Sequence, residues 1–222
     1  GAAPLTKAPV VVALIGPDRV SQRFEWENSL GVYPGGLDEF VQDVVAIERR
    51  MVADLVAAGA RYIHIDAPGY TAYVDPPSLA RMRERGEDPT RNLQRSIDAD
   101  NAVIGGFPGV TFGIHLCRGN GGPNWHREGR YDDIAEQLFT GLHHQRLLLE
   151  YDTERAGTFD PLRFVPKGKT AVVGLVSTKV PQVEADTYLK QRLDAASRFL
   201  PLDQLALSPQ CRSEERRVGK EC

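Results

Sequence analysis

The sequence predicts an α/β fold of parallel strands, an incomplete (β/α)8 TIM barrel holding strands three to eight over residues 1–211. Three observations carry this expectation. Six short apolar, β-branched runs recur along the chain. Most are nearly continuous in apolar residues, the pattern of strands buried on both faces of a parallel sheet. Helical patterns separate them, and such alternation argues for right-handed βαβ units. Six units fall short of the eight that close a barrel, and nothing before Val10 reads as a strand. An open doubly wound sheet is the alternative.

The first run, Val10–Gly16, opens the series. Leu37, Phe40, Val41, Val44, Val45, Met51, Val52, Leu55 and Val56 then keep one face of a long helix, which Gly59 stops. Tyr62–Asp66 is the second strand. Leu93 and Ile97 mark a second helix, ended near Gly105-Gly106, before the strand Thr111–Cys117. Ile134, Leu138, Phe139 and Leu142 mark a third helix, and Leu147–Tyr151 follows as a strand. Residues 158–169 form a weak connection in which Phe159-Asp160-Pro161-Leu162 begins a short helical turn. Ala171–Thr178, a helix through Leu189, Leu193, Ala196 and Leu200, and the strand Leu205–Ser208 complete the series. No Gly-rich dinucleotide fingerprint follows any strand. Residues 212–222 have neither period; they read as an artefactual tail outside the fold, and Cys222 goes with them.

Apolar residues make up 41% of the chain and charged residues 26%, the balance of an ordinary soluble domain. A net charge of -3 gives no reason to expect nucleic acid or an anionic membrane as partner. The longest clean apolar stretch, Val10–Ile15, is too short to span a bilayer. No signal-peptide pattern opens the sequence. Three cysteines are no disulfide framework, and the odd count fits a reducing cytoplasm. Oligomerisation is left open.

Four metal-ligand residue types fall at predicted strand ends. His115 and Cys117 lie in Phe-Gly-Ile-His-Leu-Cys, Glu150 ends Leu-Leu-Leu-Glu, and Cys211 ends Leu-Ala-Leu-Ser-Pro-Gln-Cys. Residues i and i+2 of a strand share a face, so His115 and Cys117 can reach one ion. Taken alone, His-x-Cys fits a core cysteine beside a hydrogen-bonded histidine. Glu150 follows a run expected inside the barrel, where a lone carboxylate is costly unless paired or metal-bound; Arg118 or Arg155 is the alternative partner. Two thiolates, an imidazole and a carboxylate together suit tetrahedral zinc. Barrel enzymes place their active-site groups at this carboxyl-end face.

The segments Tyr62-Ile-His-Ile-Asp66, Ile114-His-Leu-Cys117-Arg-Gly-Asn120, Leu148-Leu-Glu150 and Leu207-Ser-Pro-Gln-Cys211 resemble the catalytic barrel of cobalamin-independent methionine synthase and its relatives. The resemblance covers roughly residues 9–211. It implies zinc held by His115, Cys117, Glu150 and Cys211. It also implies that Asp66 helps hold the amino group of homocysteine, and that a small-molecule thiol accepts a methyl or alkyl group. The thiolate is the nucleophile, and zinc coordination deprotonates a thiol.

Two departures bear on the donor. Folate-dependent members carry Asp-Glu-Pro where this chain has Asp66-Ala67-Pro68. They also carry a histidine after the seventh strand, where this chain has Gly174-Leu-Val-Ser-Thr-Lys179. Lys179 resembles the shorter single-barrel relatives and the coenzyme M alkyltransferases, and is expected to take a catalytic part. Arg118, Asn120, Trp125 and Tyr70 are candidates for substrate contact; packed-loop and surface roles are the alternatives. His64 lies two residues before Asp66 and can share its face, although it reads first as a hydrogen-bonded core histidine; His126, His143 and His144 lie off the strand ends. The rival readings are a metal-free uroporphyrinogen decarboxylase-like enzyme and an inactive barrel fragment.

Overall fold

The computed structural model describes residues 7, 10–117, 120–121, 124–125, 127, 129–151, 156–177 and 182–210, with the backbone alone at 26–27, 120–121 and 124–125. The six predicted strands are present: β1 (Val12–Ile15), β2 (Tyr62–Asp66), β3 (Thr111–Leu116), β6 (Arg146–Glu150), β7 (Thr170–Val176) and β8 (Leu205–Pro209). They lie side by side in chain order, and every neighbouring pair is parallel. Two short strands, β4 (Asn120–Gly121) and β5 (Asn124–Trp125), form a separate antiparallel pair after β3. The main sheet ends at β1 and β8, so among the described residues it is an open six-stranded sheet and not a closed barrel.

The four predicted helices are α3 (Leu37–Ala57), α5 (Pro89–Ile104), α6 (Ala135–Gly141) and α7 (Asp186–Ala196). Gly59 follows α3 with φ 97°, a left-handed conformation that releases the chain toward β2. Between Thr158 and Lys169 the expected turn is a 3-10 helix, Asp160–Phe164. Three further helices escaped the periodicity: α1 (Pro17–Ser21), α2 (Trp26–Ser29) and α4 (Pro76–Glu84). Local chemistry explains α4. Asp75 caps it by accepting from the Ser78 amide at 3.0 Å, and Pro76 pre-sets the first turn.

The core lies on one face of the sheet. Ile63, Ile65, Phe112, Ile114, Leu116, Leu147, Leu149, Ala171, Val173 and Leu175 are buried in one cluster with Val52, Leu93, Ile97, Leu138, Phe139 and Ala196 of the helices. The alternate strand residues, among them Ala13, His64, Asp66, His115 and Leu148, face an open concavity instead. Burial on both faces, expected from the apolar runs, therefore fails: β2 alternates between buried and half-buried positions. The edge residues Ile15 and Leu207 stay 45% and 44% exposed, because no strand or helix among the described residues covers them. Among the described residues, no helix is long and apolar enough to cross a membrane.

His144 lies just ahead of β6, at the amino-end side of the sheet and away from the carboxyl ends of the strands, and is fully buried. Neither ring nitrogen has a hydrogen-bond partner among the described residues, and burial pushes its pKa down to about 3, with Lys169 and His143 adding to the shift. A base whose folded pKa is depressed withdraws stability as pH falls from its unfolded value of 6.5 toward 3. Acidification from pH 7 to pH 5 should remove about 2 kcal/mol through this group. His144→Leu should flatten that dependence in urea unfolding curves taken at both values. An undiminished slope in the variant would assign the acid sensitivity to other groups.

Candidate metal centre

A cavity of about 320 Å³ opens on the uncovered face at the carboxyl ends of the strands. Its walls include His64, Asp66, His115, Glu150, Ser208 and Gln210. Strand register assembles them. Asp66 is the lateral partner of His115, and Leu116 pairs with Leu149, which sets Cys117 level with Glu150. Four functional side chains from three consecutive strands thus meet at one level of the sheet.

The His115 ring stands between two carboxylates and is hydrogen-bonded to the first. Nδ1 lies 2.8 Å from Asp66 Oδ1, and Nε2 lies 3.5 Å from Glu150 Oε1. Glu150 is buried at 2% exposure and Cys117 is buried as well, whereas Asp66 keeps 40% of its side chain open to the cavity. The donor atoms of His115, Cys117 and Glu150 all lie within 4.8 Å of one another. Ligands of one tetrahedral zinc sit roughly 3.5 Å apart, from bond lengths of about 2.0–2.3 Å. Small side-chain rotations therefore bring these three to a common ion. A carboxylate on the second ring nitrogen is also the usual support of a metal-binding histidine. The donor set fits zinc.

His64 corrects its expected role. It lines the cavity, and its buried Nε2 has no hydrogen-bond partner among the described residues. Its pKa is lowered first by burial and then by the nearby His115 and Arg146. The ring leans across Gly113, where an added Cβ would stand 2.7 Å from His64 Cδ2. Glycine at that position makes the room. Alternation along β2 was the available signal, since His64 and Asp66 must share a face.

Tyr70 also departs from expectation. The 3-10 turn Tyr70–Tyr73 after β2 swings it into the core, where its hydroxyl donates to Asp100 Oδ2 at 2.5 Å. It is 1% exposed and forms no part of the cavity wall. Asn120 and Trp125 pair with each other across the β4–β5 hairpin, and only their backbone is described. Arg118, Lys179 and Cys211 lie outside the described residues, as does His126. Gln210, the residue before Cys211, is buried in the cavity wall, its backbone N–H donating to the Val176 carbonyl at 2.8 Å.

No family model matches the sequence. Two curated relatives, the uncharacterized proteins YxjH and YxjG of Bacillus subtilis (strain 168), are each 35% identical, over 176 and 181 residues. These alignments cover 78% and 81% of this chain but 47% and 48% of the relatives, so the chain spans about half their length. Among solved structures, a candidate vitamin-B12-independent methionine synthase from Listeria monocytogenes superposes with a TM-score of 0.70 at 23% identity, over 93% of this chain and 58% of that one. A B12-independent methionine synthase from Shewanella sp. W3-18-1, in complex with selenomethionine, gives 0.66 at 19% identity, over 94% and 57%. A methyltransferase from Methanosarcina mazei gives 0.54 at 18% identity, over 92% and 53%. The chain shares the α/β fold of these methionine synthase-like and methyltransferase proteins.

Proposed function

We propose that the chain is the larger part of a zinc-dependent S-methyl- or alkyltransferase barrel, its six strands being barrel strands three to eight. Its acceptor is a small thiol of the homocysteine type. The convergence of His115, Cys117 and Glu150 around one point, with Asp66 on the far nitrogen of His115, is the observation that carries this reading. His115, Cys117, Glu150 and Cys211 would hold the metal. Zinc in such a site supplies Lewis acidity that favours the deprotonated form of a thiol.

The protein's own groups do the rest. Glu150 would be the hard oxygen donor of the set and so the member most readily exchanged for a substrate sulfur, its carboxylate then being able to accept the thiol proton. Asp66 Oδ1 orients His115, while the exposed remainder of that carboxylate suits a substrate ammonium group. Lys179 would supply positive charge to the leaving donor or to an anionic thiol. Ala67 stands where a second carboxylate would sit in folate-dependent enzymes. Methyl transfer from a folate nitrogen needs proton delivery to that poor leaving group, so another donor is favoured. Partners are small molecules, and the compartment is the cytoplasm.

The test uses the full-length gene product. Zinc content should be about one per chain. Homocysteine with methyl-tetrahydrofolate should react poorly. Either coenzyme M with an epoxide or homocysteine with methylcobalamin should turn over. Full activity after complete zinc removal would defeat the metal reading, and a native protein that holds no zinc and alkylates no thiol would favour metal-free decarboxylase-like chemistry. Robust turnover with the folate donor alone would overturn the donor assignment only.

A further inference from the structure

A second recess, of about 160 Å³, shares no residue with the His115 cavity. Its walls come from α1 and the residues just after it, the start of α3, the 3-10 turn after β2, α4 and the residues just after it, the first turns of α5, and Arg127. Four arginines line it (Arg81, Arg85, Arg95 and Arg127) against one carboxylate, Glu87. Two of them are balanced: Arg85 lies 4.0 Å from Glu87, and Arg95 lies 3.0 Å from Asp38. The other two make no ion pair among the described residues. Arg81 Nη2 donates to Ser78 Oγ at 3.0 Å. Arg127 donates to the carbonyls of Pro68 and Gly69 at 3.2 and 3.4 Å, and to Gln22 Oε1 at 3.0 Å.

The carboxylates behind this wall are committed elsewhere. Asp18 accepts from Tyr73 at 3.0 Å and from Ser96 at 2.6 Å, and Asp75 caps α4 through Ser78. Arg127 is half-buried, and its hydrogen-bond acceptors among the described residues are all neutral. A guanidinium in that setting loses hydration, and the Asp18 and Asp75 carboxylates act on it only through space, with no hydrogen bond or ion pair to it among the described residues. Burial, followed by the charge of Arg19, pushes its pKa down, and the nearby Asp18 and Asp75 carboxylates offset this only in part.

We propose that this recess is a binding site for a small oxyanion, with Arg127 at its base and Arg81 at its rim. Planar guanidinium forks suit phosphate and carboxylate oxygens. The volume admits an anionic head group but falls below the roughly 300 Å³ at which pockets begin to take whole drug-sized ligands. Arg127 also fastens the Pro68-Gly69 loop that leaves Asp66, so occupancy of the recess stiffens that loop. This site stands independently of the thiol-transfer reading.

The experiment is calorimetric titration and thermal shift of the full chain with sodium phosphate or sodium glutarate, at constant ionic strength made up with sodium chloride. The two anions distinguish a phosphate site from a carboxylate site. At least one should bind with one-to-one stoichiometry and raise the unfolding midpoint. Charge-assisted hydrogen bonds set the expected loss, so Arg127→Gln and Arg81→Gln should each weaken binding about tenfold or more. Arg91→Gln, which removes a cation outside the recess, should leave affinity unchanged. If Arg127→Gln does not fold, Arg81→Gln, on an exposed helix face, decides alone. The proposal is overturned if neither anion binds, if the Arg81 variant binds like the parent, or if Arg91→Gln weakens binding equally.

Discussion

Cys117→Ser, introduced into the full-length protein, is expected to abolish zinc retention and thiol alkylation together. The side chain sits one residue past the end of β3, level with Glu150 on β6, and its sulfur belongs to the cluster of donor atoms within 4.8 Å of one another. Serine has nearly the same shape, so packing around this buried position is kept. What goes is the thiolate, because a serine hydroxyl does not ionise in this pH range. Loss of an outer-shell partner already costs roughly 10–100-fold in metal affinity. Removal of an inner donor should therefore exceed about a hundredfold. Elemental analysis after gel filtration gives the zinc content, alkylation rates give the activity, and far-ultraviolet circular dichroism verifies the fold. A serine variant that loses zinc and still turns over at the parent rate would sink the mechanism.

The pieces of this site differ in how far they could be read before the structure. His115 and Cys117 were legible because two-residue periodicity along a strand is a backbone property. Glu150 was legible because a carboxylate ending an apolar run has few cheap fates. The Asp66–His115 bond was not, since it depends on β2 and β3 pairing with Asp66 opposite His115, and lateral register leaves no mark in a single sequence. Tyr70 shows the same limit from the other side. Nearness to Asp66 in sequence suggested the cavity mouth, but one 3-10 turn sent the ring to Asp100. The sheet followed the alternation closely. Its one-sided core did not, because apolar runs of four or five residues look alike whether one face or both are covered. The helix α4 has little apolar periodicity and was announced only by Asp75-Pro76-Pro77, a capping signal that is easily taken for a loop.

Asp66→Asn separates the two tasks that converge on this carboxylate. Its Oδ1 lies 2.8 Å from His115 Nδ1, fixing that nitrogen as the protonated one and directing the lone pair of Nε2 toward Glu150. Asparagine can still accept the hydrogen bond through its carbonyl, but the negative charge that strengthens the imidazole as a donor is gone. Zinc affinity, measured against a competing chelator, should fall about 10–100-fold. Unlike the Cys117 variant, this one keeps every inner ligand, so saturating zinc should restore its metal content. The second task then shows in the residual kinetics. With zinc saturated, an amino-acid thiol such as homocysteine should show a raised KM, because the ammonium has lost its counter-charge. A thiol without an amino group should be unaffected in KM. Equal KM changes for both thiols would remove Asp66 from substrate recognition and leave it solely a support for His115. Unchanged zinc affinity would show that the short contact to Nδ1 does not tune the metal site.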